Sequence, residues 1–94
     1  MSLLSERVVC ITGSSRGIGR ACAVECAKHS AAGLILHYFG DPETKTEVEA
    51  LIDEICTAYP PTQTLAVPGD IGDSETSNKV RSATRSAEIY PEFA

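Results

Sequence analysis

An apolar run, Val8-Val9-Cys10-Ile11, leads straight into three glycines spaced G-x-x-x-G-x-G, at Gly13, Gly17 and Gly19, and then into a helix-compatible stretch. A strand that turns through glycines into a helix is an arrangement that grips a dinucleotide pyrophosphate. Gly13 lets the chain turn sharply where a Cβ would clash. Gly17 leaves room for a ligand beside the backbone, and Gly19 lets the helix lie close on the sheet. The phosphates then face unpaired N–H groups and the positive dipole end at the helix N-terminus. Gly13, Ser14, Ser15, Arg16, Gly17, Ile18 and Gly19 are therefore candidate cofactor-binding residues, the serines through backbone or hydroxyl contacts to phosphate.

The rest of the chain supplies the fold this loop requires. Ile18 to Lys28 is rich in small residues suited to close packing on a sheet and reads as a first helix ending near Ser30. Leu34 to Phe39 reads as a second strand, its continuous apolar start fitting a buried parallel position. Asp41-Pro42-Glu43 is a helix start, with Asp as N-cap, Pro at the first helical position and an acid in the first turn. Val48, Leu51, Ile52, Ile55 and Tyr59 give the second helix its apolar stripe, and Pro60-Pro61 stops it. Thr64 to Val67 forms a third strand, and Asp73 caps a third helix with a modest stripe at Val80, Ala83, Thr84 and Ala87. Three strand–helix alternations predict a βαβαβα, Rossmann-type half of a doubly wound parallel sheet in three layers (αβα), occupying 1–94 as one partial domain. Ligands of such sheets collect at the carboxyl ends of the strands, so residues 12–19, 37–41 and 69–72 should converge.

Composition narrows the function classes. The net charge of −5 argues against nonspecific nucleic-acid binding. No apolar span is long enough for a membrane and no signal peptide is evident, which makes the cytoplasm the default location. Cys10, Cys22, Cys26 and Cys56 lack paired C-x-x-C spacing, and neither His29 nor His37 belongs to a metal-like set, so no metal is expected. His37 reads as strand-end packing rather than as a catalytic base, because no orienting partner is proposed by the spacing.

Thr12-Gly13-Ser14-Ser15-Arg16-Gly17-Ile18-Gly19 resembles the T-G-x-x-x-G-x-G signature of short-chain dehydrogenases/reductases, and the resemblance extends from Arg7 to about Ala87. It implies an NAD(P)-binding fold and reversible hydride transfer between nicotinamide and a carbonyl or alcohol carbon. Asp70-Ile71 matches the family's Asp and apolar residue after the third strand, which contact adenine; alone, Asp70 reads as a solvated turn residue. The family's selector between NAD and NADP falls near Tyr38, which carries no carboxylate to repel a 2′-phosphate. Arg16 resembles the basic residue of NADP-using members, whose guanidinium reaches that phosphate; otherwise it is a solvated turn arginine. NADP is the expected cofactor, with Asp41 close enough to keep NAD open.

The family's catalytic residues find no counterpart. Tyr38, Tyr59 and Tyr90 are followed four positions on by Pro42, Gln63 and Ala94, never by Lys, and the Asn-Asn-Ala-Gly turn is absent. Whether the chain is itself an enzyme is therefore left open. The expectation is the N-terminal cofactor-binding portion of an NADP-dependent oxidoreductase, inactive as this chain. The alternative is a non-enzymatic dinucleotide-binding or interaction module. In the family fold a fourth strand covers the outer side of the first; without it, Val8 to Ile11 becomes an open edge suited to self-association or to pairing with a complementary fragment.

Overall fold

A computed structural model describes the backbone of residues 7–89 and the side chains of residues 7–83. The predicted stripe positions Thr84 and Ala87, as side chains, and Tyr90 lie outside them. Six elements follow in strict alternation: β1 (Val8–Ile11), α1 (Gly17–Lys28), β2 (Gly33–Tyr38), α2 (Pro42–Ala58), β3 (Gln63–Pro68) and α3 (Ser74–Ile89). All strands are parallel in the order β1-β2-β3, with Cys10 opposite Ile35 and Ile35 opposite Leu65. The expected Rossmann-type half-sheet is what the chain forms.

Burial follows from that order. β2 is the middle strand and is buried at every residue, which accounts for its unbroken apolar run. Leu34, Leu36 and Tyr38 point to one face, where they pack with Ala23 and Ala27 of α1 and Val48, Leu51 and Ile55 of α2. Ile35 packs on the other face with Val67 of β3 and Val80 of α3. Two helices on one side and one on the other make the three layers. Ala23 and Ala27 are the buried residues of α1 and face this side of the sheet.

Local chemistry sets the helix ends. The Asp41 side chain accepts from the Thr44 N–H at 2.9 Å, with Pro42 at the first helical position of α2. Asp73 Oδ1 accepts from the Glu75 N–H at 2.9 Å and opens α3. At the end of α1, Ser30 adopts φ +66°, and the N–H groups of Ser30 and Ala31 reach back to the carbonyls of Ala27 and Cys26. That pair of bonds is a Schellman closure with serine where glycine is usual. It turns the chain sharply enough for β2 to start at Gly33.

Candidate functional site

The carboxyl ends of the three strands lie side by side, and one imidazole ties them together. His37, only 4% exposed, accepts the Gly13 N–H on Nδ1 at 3.1 Å. An N–H donor can only be met by an unprotonated ring nitrogen, so the remaining proton sits on Nε2, 2.7 Å from the Gly69 carbonyl. The His37 carbonyl in turn accepts from both the N–H and the hydroxyl of Ser14, each at 2.9 Å. The loops after β1 and β3 are thus both held to the end of β2.

The glycine loop turns as its sequence implies, but the expected Cβ clash at Gly13 is absent and its backbone angle is what calls for glycine. Gly13 and Gly17 lie at φ +60° and +63°, where L side chains are strained, and neither would place a Cβ within 4 Å of another group. The space beside Gly17 is open, as a ligand approaching the backbone requires. Gly19 is different. A Cβ there would stand 2.2 Å from the Gly13 carbonyl oxygen, so the close contact it allows is between the first turn of α1 and the loop's own backbone. Arg16 is extended at the N-cap of α1 and provides no side-chain cap, which leaves the first-turn N–H groups without that partner.

The remaining candidate side chains divide between surface and interior. Ser14 and Ser15 are buried, and the Ser14 hydroxyl is turned inward onto His37. Tyr38 is buried in the core cluster with residues of α1 and α2. Asp70 is exposed, and its Oδ1 accepts from the Gly72 N–H at 2.8 Å, shaping the loop after β3. The three large apolar residues most exposed among the described residues are Ile18 at 84%, in the first turn of α1, Phe39 at 59%, after β2, and Ile71 at 45%, after β3. Phe39 was expected inside the second strand, but β2 ends at Tyr38 and Phe39 lies exposed before Gly40, which adopts φ +108°.

Charge is concentrated where the loops after β1 and β2 meet. Arg16 Nε and Nη2 both donate to Glu47 Oε1, at 3.1 and 2.8 Å, and Nη2 also lies 3.2 Å from Glu43 Oε1. The Glu47 hydrogen bond and charge, with Glu43 behind them, hold the guanidinium more firmly protonated than usual. Asp41 sits below the ordinary carboxylate range, chiefly because Thr44 bonds its charged form, with Arg16 adding a smaller favourable charge. One turn along α1, Arg20 pairs with Glu54 at 2.6 Å, a second strap from α1 to α2. Cys26 is pushed up by burial and, less, by Cys22 and Glu25, so it is not an activated thiol. Among the described residues no group of His, Cys, Asp and Glu could hold a metal, and no helix is long and apolar enough to cross a membrane.

The chain is 40% identical over 81 residues, 86% of its length, to the L-rhamnose 1-dehydrogenase (NAD(P)(+)) of Azotobacter vinelandii. It is 36% identical over 78 residues to the L-rhamnose-1-dehydrogenase of Scheffersomyces stipitis. It is 35% identical over 80 residues to the L-rhamnose 1-dehydrogenase (NAD(P)(+)) of a Sphingomonas species. The matched segments cover 30%, 29% and 28% of those proteins, so the chain spans under a third of the curated relatives it matches. No protein-family model matches it.

Proposed function

The chain belongs to the short-chain dehydrogenase/reductase family, and from that premise we propose that residues 12–19, 37–41 and 69–72 bind the adenosine diphosphate half of a nicotinamide dinucleotide, NADP(H) ahead of NAD(H). The observation that carries this reading is the start of α1: its N-cap residue, Arg16, makes no side-chain cap, and two left-handed glycines lead into it at the carboxyl end of a parallel sheet. Backbone N–H groups of Gly17, Ile18 and Gly19 take the diphosphate there, aided by the helix dipole. Phe39 and Ile71 flank the adenine, with Asp70 at its edge. Arg16 receives the 2′-phosphate, and Ile18 lies toward the nicotinamide side.

A bound nicotinamide dinucleotide supplies hydride exchange with a carbonyl or alcohol carbon. The relatives' names put that carbon in L-rhamnose, and we extend the same class, a sugar hydroxyl, to the protein that uses this site. Residues 1–94 contain no Tyr followed four positions on by Lys, so these residues by themselves bind without turnover. β1 pairs only with β2 among the described residues, which supports association through its outer side. A cytoplasmic setting fits cysteines that form no disulfide among the described residues.

Calorimetric titration of the chain with NADPH and NADH tests the binding site. Heat with both, tighter for NADPH, and its loss in Gly17→Val are expected. A folded chain that takes up neither cofactor overturns the reading, and steady NADPH consumption with a sugar lactone or aldehyde overturns the absence of turnover. Sedimentation of a strict monomer at every concentration overturns self-association.

A further inference from the structure

The assignment of Arg16 to a 2′-phosphate leaves two side chains of α2 without a role. A guanidinium binds an oxyanion through an edge of two parallel N–H groups. The Nε–Nη2 edge of Arg16 is already held by one oxygen of Glu47, and Glu43 adds a second carboxylate on Nη2. These partners lie 31 and 27 residues from Arg16 in sequence, and only the packing of α2 beside the glycine loop brings them there. Asp41 adds a third negative charge nearby, its carboxylate engaged with Thr44. A 2′-phosphate arriving at Arg16 must therefore displace Glu47 or share the guanidinium with it, close to like charge. A 2′-hydroxyl meets no such conflict.

We propose that Glu47, seconded by Glu43, sets how strongly this site discriminates between 2′-phosphorylated and unphosphorylated adenine nucleotides, by competing with the phosphate for Arg16. The proposal rests on the reading of the glycine loop as a dinucleotide site. It makes Arg16 a shared group rather than a committed phosphate receptor, so the site accepts both cofactors with a shallow preference. Exposed ion pairs of this kind are weak, so relief of the competition is modest, about two- to fivefold.

The test is titration of the 94-residue chain with adenosine 2′,5′-bisphosphate and with 5′-AMP at fixed ionic strength. Glu47→Gln keeps the shape and an acceptor oxygen but removes the charge. It is expected to tighten the bisphosphate by about two- to fivefold while leaving 5′-AMP unchanged; Glu43→Gln has a smaller effect and the double variant the largest. A merely structural role for Glu47 would move both nucleotides together. If Arg16→Gln collapses the ratio but Glu47→Gln and the double variant leave it unchanged, the competition is refuted while the site reading stands. If neither nucleotide binds the folded wild type, or Arg16→Gln does not alter the ratio, the reading of Arg16 fails and the competition with it.

Discussion

His37 accepts the backbone N–H of Gly13 on Nδ1, and that single bond dictates the tautomer of a buried imidazole at the centre of the strand ends. With Nδ1 filled, Nε2 carries the proton and donates to Gly69, so one neutral ring fixes the spacing between the glycine loop and the loop that carries Asp70 and Ile71. In His37→Phe both backbone groups lose their partner, at a cost of about 1–3 kcal/mol. Urea unfolding should show the loss as a lower midpoint with an unchanged slope. Nitrogen NMR of the wild type should find Nδ1 bare and Nε2 protonated; the opposite tautomer would contradict the hydrogen-bond pattern.

Gly17 and Gly19 should respond differently to the same replacement. Gly17 is restricted by its backbone angle alone, since a Cβ meets nothing within 4 Å. Gly17→Ala is therefore expected to cost about 1–2 kcal/mol, and Gly17→Asn less, because Asn tolerates the left-handed region. Gly19 is restricted by the Gly13 carbonyl at 2.2 Å, so Ala and Asn should be equally harmful there, roughly 1–3 kcal/mol. Thermal melts of the four variants decide it: rescue by Asn at position 19 would show that the loop gives way.

Ser14→Ala separates framework from contact. The hydroxyl donates inward to the His37 carbonyl, while the Ser14 N–H keeps its own bond to the same oxygen. We expect a loss of about 0.5–1.5 kcal/mol in stability with ADP affinity preserved in the folded fraction. Loss of ADP binding without loss of stability would mean that the hydroxyl touches the ligand.

Asp41 gives the fold an acid-sensitive element. Its carboxylate is held below the ordinary range by the Thr44 hydrogen bonds, so the folded state favours the charged form more than the unfolded chain does. The sign follows from that difference. The contribution is whole above the ordinary aspartate value, and it is lost as pH falls through the depressed folded value. Asp41→Asn still caps a helix but does not titrate. Melting temperature against pH should therefore show an acid decline in the wild type that is smaller in Asp41→Asn; parallel profiles would remove Asp41 as its source.

The elements were legible because their signals are local. Asp41-Pro42 starts α2, Pro60-Pro61 follows its end at Ala58, and the buried β2 is visible as an apolar run. Gly33, Gln63 and Pro68 proved to be strand residues, one step beyond the expected limits, because the pairs Gly33–Gln63 and Tyr38–Pro68 extend the ladder past the apolar core. Within the candidate site the glycine spacing was readable for the same local reason. The fates of Tyr38, drawn into the core, and Ser14, turned onto His37, were not.

What the sequence alone determined is the order of strands and helices and the glycine turn, because periodicity, caps and backbone freedom act over a few neighbouring residues. Only the tertiary structure decided that His37 joins Gly13 to Gly69, that Gly19 rests on the Gly13 carbonyl, and that Arg16 is met by Glu43 and Glu47. Most of those pairings join residues more than twenty positions apart, and even Gly13 and Gly19 meet only once the loop has folded back. They exist because burying the apolar faces of β2, α1 and α2 fixes where each loop must lie, a decision made by the packed core and not by the residues that meet there.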